Sequence, residues 1–160
     1  MKTNSQVAEA WSRGQSAEGS NFFTDGITIW SYGYHFPVAK KVNGRILFNP
    51  TYYSSSTSKH QSHVMRAIHD SSRLVFCRDI KSHITNEQKV LGAVKERMAK
   101  IPNCRKEEDR VNDVLSELFC FEEYLEVMGL KKPKWARDIR FALENLHGRA
   151  LRVWAKNYRF

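Results

Sequence analysis

Apolar and polar positions alternate from Ile27 to Val42, in a stretch rich in aromatic and β-branched residues, and this predicts a strand. Asn43-Gly44 follows. The pair favours a type I′ turn, whose two central residues both need positive φ, so Arg45–Tyr53 is the return strand of a hairpin. Pro37 has no N–H to give to a ladder and belongs at an edge or a bulge of that pair. Past the run Ser54–Ser58 the period becomes helical. Ser58 with Gln61 makes a capping box, Thr57 is the alternative cap, and the helix runs from about Lys59 to Asp70. Arg73–Cys77 reads as a short buried strand. A second helix opens at Thr85 or Asn86 and stops before Pro102. A third, from about Lys106 to Met128, carries Val111, Val114, Leu115, Leu118, Phe119 and Leu125 at helical spacing, with Gly129 as the residue after its end. A fourth begins at Pro133 with Trp135, Ile139, Ala142, Leu143 and Leu146 on one stripe, and Gly148 ends or kinks it before Arg149–Phe160. Residues 1–21, rich in Ser, Gln and Gly, read as a loosely held arm with a short helical stretch around Val7–Trp11.

These elements predict an α+β fold: a small antiparallel sheet, made of the N-terminal hairpin plus a third strand, packed against three to four helices, with an all-helical C-terminal half. Residues 22–160 are expected to form a single domain, divided into a hairpin–helix–strand part (22–80) and a helical part (85–160). A length of 160 residues, 41% of them hydrophobic and 27% charged, suits a globular core of that size. The chain has no apolar run of the roughly 18 residues that a membrane span needs. Its polar start, with Glu9 and Glu18, does not read as a secretory signal. The three cysteines form no CxxC pair and read as reduced thiols of an intracellular protein.

Charge sharpens the picture. Lys and Arg number 26 against 17 Asp and Glu, a net +9. Residues 131–160 hold nine basic and two acidic side chains, whereas residues 81–130 hold eight and ten. So polarised a chain attracts nucleic acid, anionic lipid or an acidic protein surface. At about 100° per residue, Lys59, His63 and Arg66 share one face of the first predicted helix. Ser56, Thr57 and Ser58 at its N-terminus offer an anion hydroxyls and free N–H groups. Lys134 and Arg137 add cations on the fourth helix. Arg149, Arg152, Lys156 and Arg159 then make a continuous basic stripe if the helix persists past Gly148, with Leu151, Trp154 and Tyr158 beside it. The expected nucleic-acid surface combines these groups, Lys and Arg on phosphates and Trp154 on a base, with docking of the last helix as the alternative role of the apolar stripe. The segment is short and thinly apolar for a membrane-surface helix.

Other chemistry is sparser. Trp30, Tyr32, Tyr34 and Phe36 fall on one face of the first predicted strand, read as the core side of the sheet, with a base-stacking platform as the alternative. His60 and His63 have no Cys or carboxylate at ligand spacing beside them, so neither a metal nor a cofactor is expected. His35, His60 and His63 are the groups that an enzyme acting on nucleic acid or nucleotides would use. No GxSxG, P-loop or GxGxxG motif frames them, and no catalytic residue is assigned. Glu107–Asp109 open the third helix, where acids complement the helix dipole.

Ser31-Tyr32-Gly33-Tyr34-His35-Phe36-Pro37-Val38-Ala39 and the stretch from Tyr53 through Ser54, Thr57 and His60 to Val64 resemble a family of uncharacterised small proteins of phage and plasmid genomes. The family pattern is an SYG-type strand, a hairpin, and a YS-x-TT-x-x-H-like turn into a helix, with Ser56-Thr57 here in place of Thr-Thr. The resemblance implies an accessory protein of a mobile element, cytoplasmic in a bacterial host. Its partner would be DNA or RNA, or alternatively a host protein complex that it inhibits or adapts, and no membrane. No catalytic role carries over.

Overall fold

An antiparallel meander makes most of the sheet in the computed structural model, which describes residues 1–160. Strands β1 (Ser16–Glu18), β2 (Phe22–Asp25), β3 (Thr28–Ser31), β4 (Phe36–Val42) and β5 (Arg45–Phe48) lie side by side in chain order, each antiparallel to the next. Asn43 and Gly44 join β4 to β5 with φ of 48° and 75°, as a type I′ turn requires. Helix α2 (Ser55–Ala67) carries the chain across the sheet, so β6 (Leu74–Phe76) joins β5 in parallel. Pro37 sits in β4 beside a bulge: Ile29 pairs with Ala39 but Trp30 with Pro37, so the missing N–H falls where the ladder shifts.

The fold is α+β with a helical C-terminal half, as the sequence pattern predicts, but the sheet has six strands, the last of them parallel, where a hairpin and one further antiparallel strand are expected, and three other details differ. Residues 1–21 are not an arm. Helix α1 (Asn4–Ser12) is closed by a capping box in which Thr3 and Gln6 exchange hydrogen bonds, and β1 follows it into the sheet. Val7, Ala8 and Trp11 suffice to bury it: they meet Val64 and Ala67 of α2 over Phe22, Ile29, Val38 and Phe48 of the sheet. Complete burial of a side chain such as Phe22 or Ile29 contributes about 1.5–3 kcal/mol. The Trp11 indole donates to Ile27 O at 2.9 Å, and Lys41 Nζ caps the last carbonyls of α1 at Trp11 and Ser12. Burial, then the nearby Arg73 charge, lowers the Lys41 pKa.

The predicted strand from Ile27 to Val42 is the second difference. It breaks at Tyr32 and Gly33, whose φ values of 56° and 62° turn the backbone left-handed into a 3-10 turn at Gly33–His35. The third is that the chain divides into two compact units, Met1–Asn86 and Glu87–Phe160, in place of one domain over 22–160. The core of the first closes between α1, α2 and the sheet without the C-terminal helices.

The second unit takes most of helix α3 (His83–Met98), with α4 (Glu107–Val127), α5 (Lys134–Asn145) and α6 (Gly148–Asn157). Gly129, at φ 66°, ends α4, and Leu130 N–H reaches back to Leu125 O at 2.8 Å. Phe121 of α4 stacks on Trp135 of α5 at 5.6 Å, and Glu122 takes Arg140 through two oxygens at 2.8 and 2.9 Å. That doubled contact keeps the Arg140 pKa above its ordinary value. Leu146 and His147 are extended, so α5 ends there and α6 is a separate helix. No helix is long and apolar enough to cross a membrane.

Candidate functional site

Within Met1–Asn86, α2 starts one turn earlier than the Ser58–Gln61 pattern predicts. Ser54 is the cap, accepting from Thr57 N–H at 3.1 Å. The shift turns Thr57 inward, where it is wholly buried. Ser54 Oγ donates to Thr57 Oγ1 at 3.1 Å, Thr57 Oγ1 lies 3.1 Å from Ser31 Oγ, and Ser31 Oγ lies 2.8 Å from His60 Nδ1. Running the protons in that order makes Nδ1 the acceptor and places the ring hydrogen on Nε2. The imidazole stacks on Phe22 at 4.4 Å, and Tyr32 leans over it at 6.2 Å. Burial, then the neighbouring His63, lowers the His60 pKa, so this ring is neutral at pH 7.

This chain of hydroxyls and imidazole ties α2 to β3. Ser31 is wholly buried, out of reach of a substrate, so the pair is a structural fastening and not a nucleophile with its base. No three His, Cys, Asp or Glu side chains converge as a metal site would require. The earlier start corrects the anion reading for Thr57 and Ser58. Thr57 is spent inside, and Ser58 N–H already bonds Ser54 O at 2.9 Å. Lys59 and Arg66 stand exposed on α2 and His63 is half-buried.

The aromatic row is corrected too. With the strand broken at Tyr32, Phe36 is buried while Tyr34 is 69% exposed. Trp30 stacks on Phe23 at 5.1 Å, with Tyr34 edge-on at 5.2 Å, on the strand positions opposite to Phe22 and Ile29.

Within Glu87–Phe160 the basic residues divide into paired and unpaired. Lys134 binds Asp138 at 2.6 Å, and Arg152 lies 3.8 Å from Glu107 and donates to Cys104 O at 3.3 Å. Arg137, Arg149, Lys156 and Arg159 are exposed and take part in no ion pair. Because α6 begins afresh at Gly148 and ends at Asn157, the expected four-residue stripe shortens to Arg149, Arg152 and Lys156, with Arg159 beyond the helix. Trp154 is half-buried and packs on Tyr158 at 4.9 Å, so it docks the tail and does not stand free for a base. Tyr158 in turn meets Phe160 at 4.9 Å, and Lys95 sits over the Phe160 ring at 4.9 Å. The Tyr158 hydroxyl donates to Asp138 Oδ2 at 3.3 Å. Burial, then the Asp138 charge, raises the Tyr158 pKa, while the Lys134 hydrogen bond leads in holding the Asp138 carboxyl below the usual range.

No family model, curated protein or solved structure matches this chain. The geometry therefore carries the functional reading. The partners that pattern analysis missed are Ser31 and Asp138. Ser31 meets His60 across 29 residues of chain, and Asp138 meets Tyr158 across 20, separations at which no local period applies. The alternation through Ile29 and Ser31 was the one available sign that Ser31 faces the covered side of the sheet.

Proposed function

We propose that the C-terminal helices bind a nucleic acid, DNA or RNA, through its phosphate backbone. The observation that carries this reading is the hydrogen bond from Tyr158 to Asp138, which folds the tail onto α5. Lys156 and Arg159 flank Tyr158 in sequence, and Lys134 and Arg137 precede Asp138, whose carboxylate Lys134 neutralises, so the bond brings together two basic stretches. Arg137, Lys156 and Arg159 take part in no ion pair, and an array of this kind exchanges its counterions for phosphates. Helix α2, with Lys59 and Arg66, is a second exposed basic stretch in the other unit. Such a protein acts by occupying nucleic acid, in keeping with an accessory role for a mobile element in the cytoplasm of a bacterial host.

Fluorescence anisotropy with labelled single- and double-stranded oligonucleotides tests the reading. Four phosphate contacts on a duplex give a slope of log K against log salt of about −3 to −4. Arg137→Glu with Arg159→Glu should weaken binding at least about tenfold in dilute buffer and flatten the slope by about two. Affinity and slope that do not move, or a wild-type protein that ignores polynucleotides at low salt, would remove the proposal. Retention of a host protein after nuclease treatment and about 0.5 M salt, with no oligonucleotide binding, would favour the inhibitor reading instead.

A further inference from the structure

The C-terminal end of α4 is built against its own electrostatics. The negative end of a helix dipole favours cations, yet the last turn holds Glu126 and no Lys, Arg or His, with Glu122 and Glu123 one turn back. These carboxylates line a groove of about 410 Å³ together with Lys132, the buried Leu125 and the exposed Phe119 and Leu130. Phe119 is 57% exposed and Leu130 39%, and they lie side by side in the lining of this groove. Lys132, at 3.4 Å, and Arg140 balance Glu122, whereas Glu126 takes part in no ion pair and faces solvent.

Helix α6 presents the complement. Arg149, Val153 and Lys156 follow the i, i+4, i+7 spacing of a single helical stripe, with Val153 51% exposed between two cations that have no partner. In its own chain α6 is held at the other end of α4. Gly148 N–H donates to Glu107 Oε1 at 3.0 Å, and Arg152 reaches Glu107 and Cys104. Helix α4 has 21 residues, and so is about 30 Å long. The groove and the stripe are therefore both left open within one molecule.

We propose that the apolar-floored groove at the end of α4 docks helix α6 of a second copy of this chain, with Val153 against Phe119 and Leu130, and the cations Arg149 and Lys156 drawn to Glu126. The contact is heterologous, groove of one copy to helix of the next. It closes into a reciprocal dimer or ring, or runs on as a filament. It goes beyond nucleic-acid binding, although Arg149 and Lys156 also belong to the basic side chains that role draws on.

Sedimentation velocity over a concentration series, without nucleic acid, tests it. The wild-type chain should associate in dilute buffer and dissociate towards monomer at about 0.5 M salt, where exposed charge pairs are screened. Glu126→Lys alone and Arg149→Glu alone should each weaken association at least about tenfold. Both sites are exposed, and circular dichroism should show each variant folded. Mixing the two variants should restore association, because the reversed groove then meets the reversed helix. A wild-type chain that stays monomeric throughout the series would overturn the proposal. So would single variants that associate like wild type, or a mixture no stronger than either variant. None of these outcomes depends on whether oligonucleotides bind, so this proposal and the nucleic-acid reading fail separately.

Discussion

Helix α2 turns its chemistry inward and helix α6 turns it outward, although both are short, polar and basic. In α2 the hydroxyl of Thr57 and the ring of His60 point at Ser31, and burial keeps that ring neutral. What remains for solvent is Lys59, Arg66 and a half-buried His63. In α6 one buried leucine, Leu151, and the Trp154–Tyr158 pair do the docking, which leaves Arg149 and Lys156 without acidic partners. Polar groups used as fasteners make a rigid helix with little charge to spend on a ligand. Apolar fasteners leave the charge free. The difference explains why the nucleic-acid proposal rests on the C-terminal helices and treats α2 as a secondary contact.

The strongest way to break the contrast is to remove the apolar fastener. Leu151→Ala should cost about 2–5 kcal/mol of the stability of the C-terminal unit in denaturant unfolding, and should weaken oligonucleotide binding with it. A loss near zero would mean that α6 is held by something other than Leu151. Removing a polar fastener is smaller: Ser31→Ala strands the Thr57 hydroxyl and His60 Nδ1, with an expected loss of about 1–3 kcal/mol and binding unchanged.

Acid sharpens the contrast further. The folded pKa of His60 lies below the unfolded value of about 6.5, so the unfolded chain binds the proton more readily. The contribution of His60 is therefore complete above about pH 6.5 and is lost as the pH falls through the lower, folded value. Thermal unfolding from pH 8 to 5 should show wild type losing more stability than His60→Gln. Equal losses would mean that the imidazole is not desolvated as described. The smallest effect belongs to Arg152→Ala, whose exposed pairing with Glu107 should contribute less than about 1 kcal/mol.

Much of the architecture was legible because it is local. Asn43-Gly44 announced its turn, Gly129 its helix end, and the apolar spacing of α4 its length. The N-terminal unit was harder. Helix α1 has few large apolar anchors, Val7 and Trp11 beside the small Ala8 and Ala10, and it is stable because a sheet and α2 receive them. The break at Tyr32 was masked by aromatic residues that suit a strand, and Gly33 was its one visible cue. The cations of the candidate site were all legible from spacing. Which of them the fold neutralises was not, because Glu107 and Arg152 are brought together by helix packing and lie far apart in sequence.

Salt titration of oligonucleotide binding, wild type beside Arg137→Glu with Arg159→Glu, bears on the central proposal most directly. The account predicts a steep loss of affinity with salt for the wild type, and a weaker and shallower one for the variant. Two superimposable curves, or no binding by either protein in dilute buffer, would contradict it.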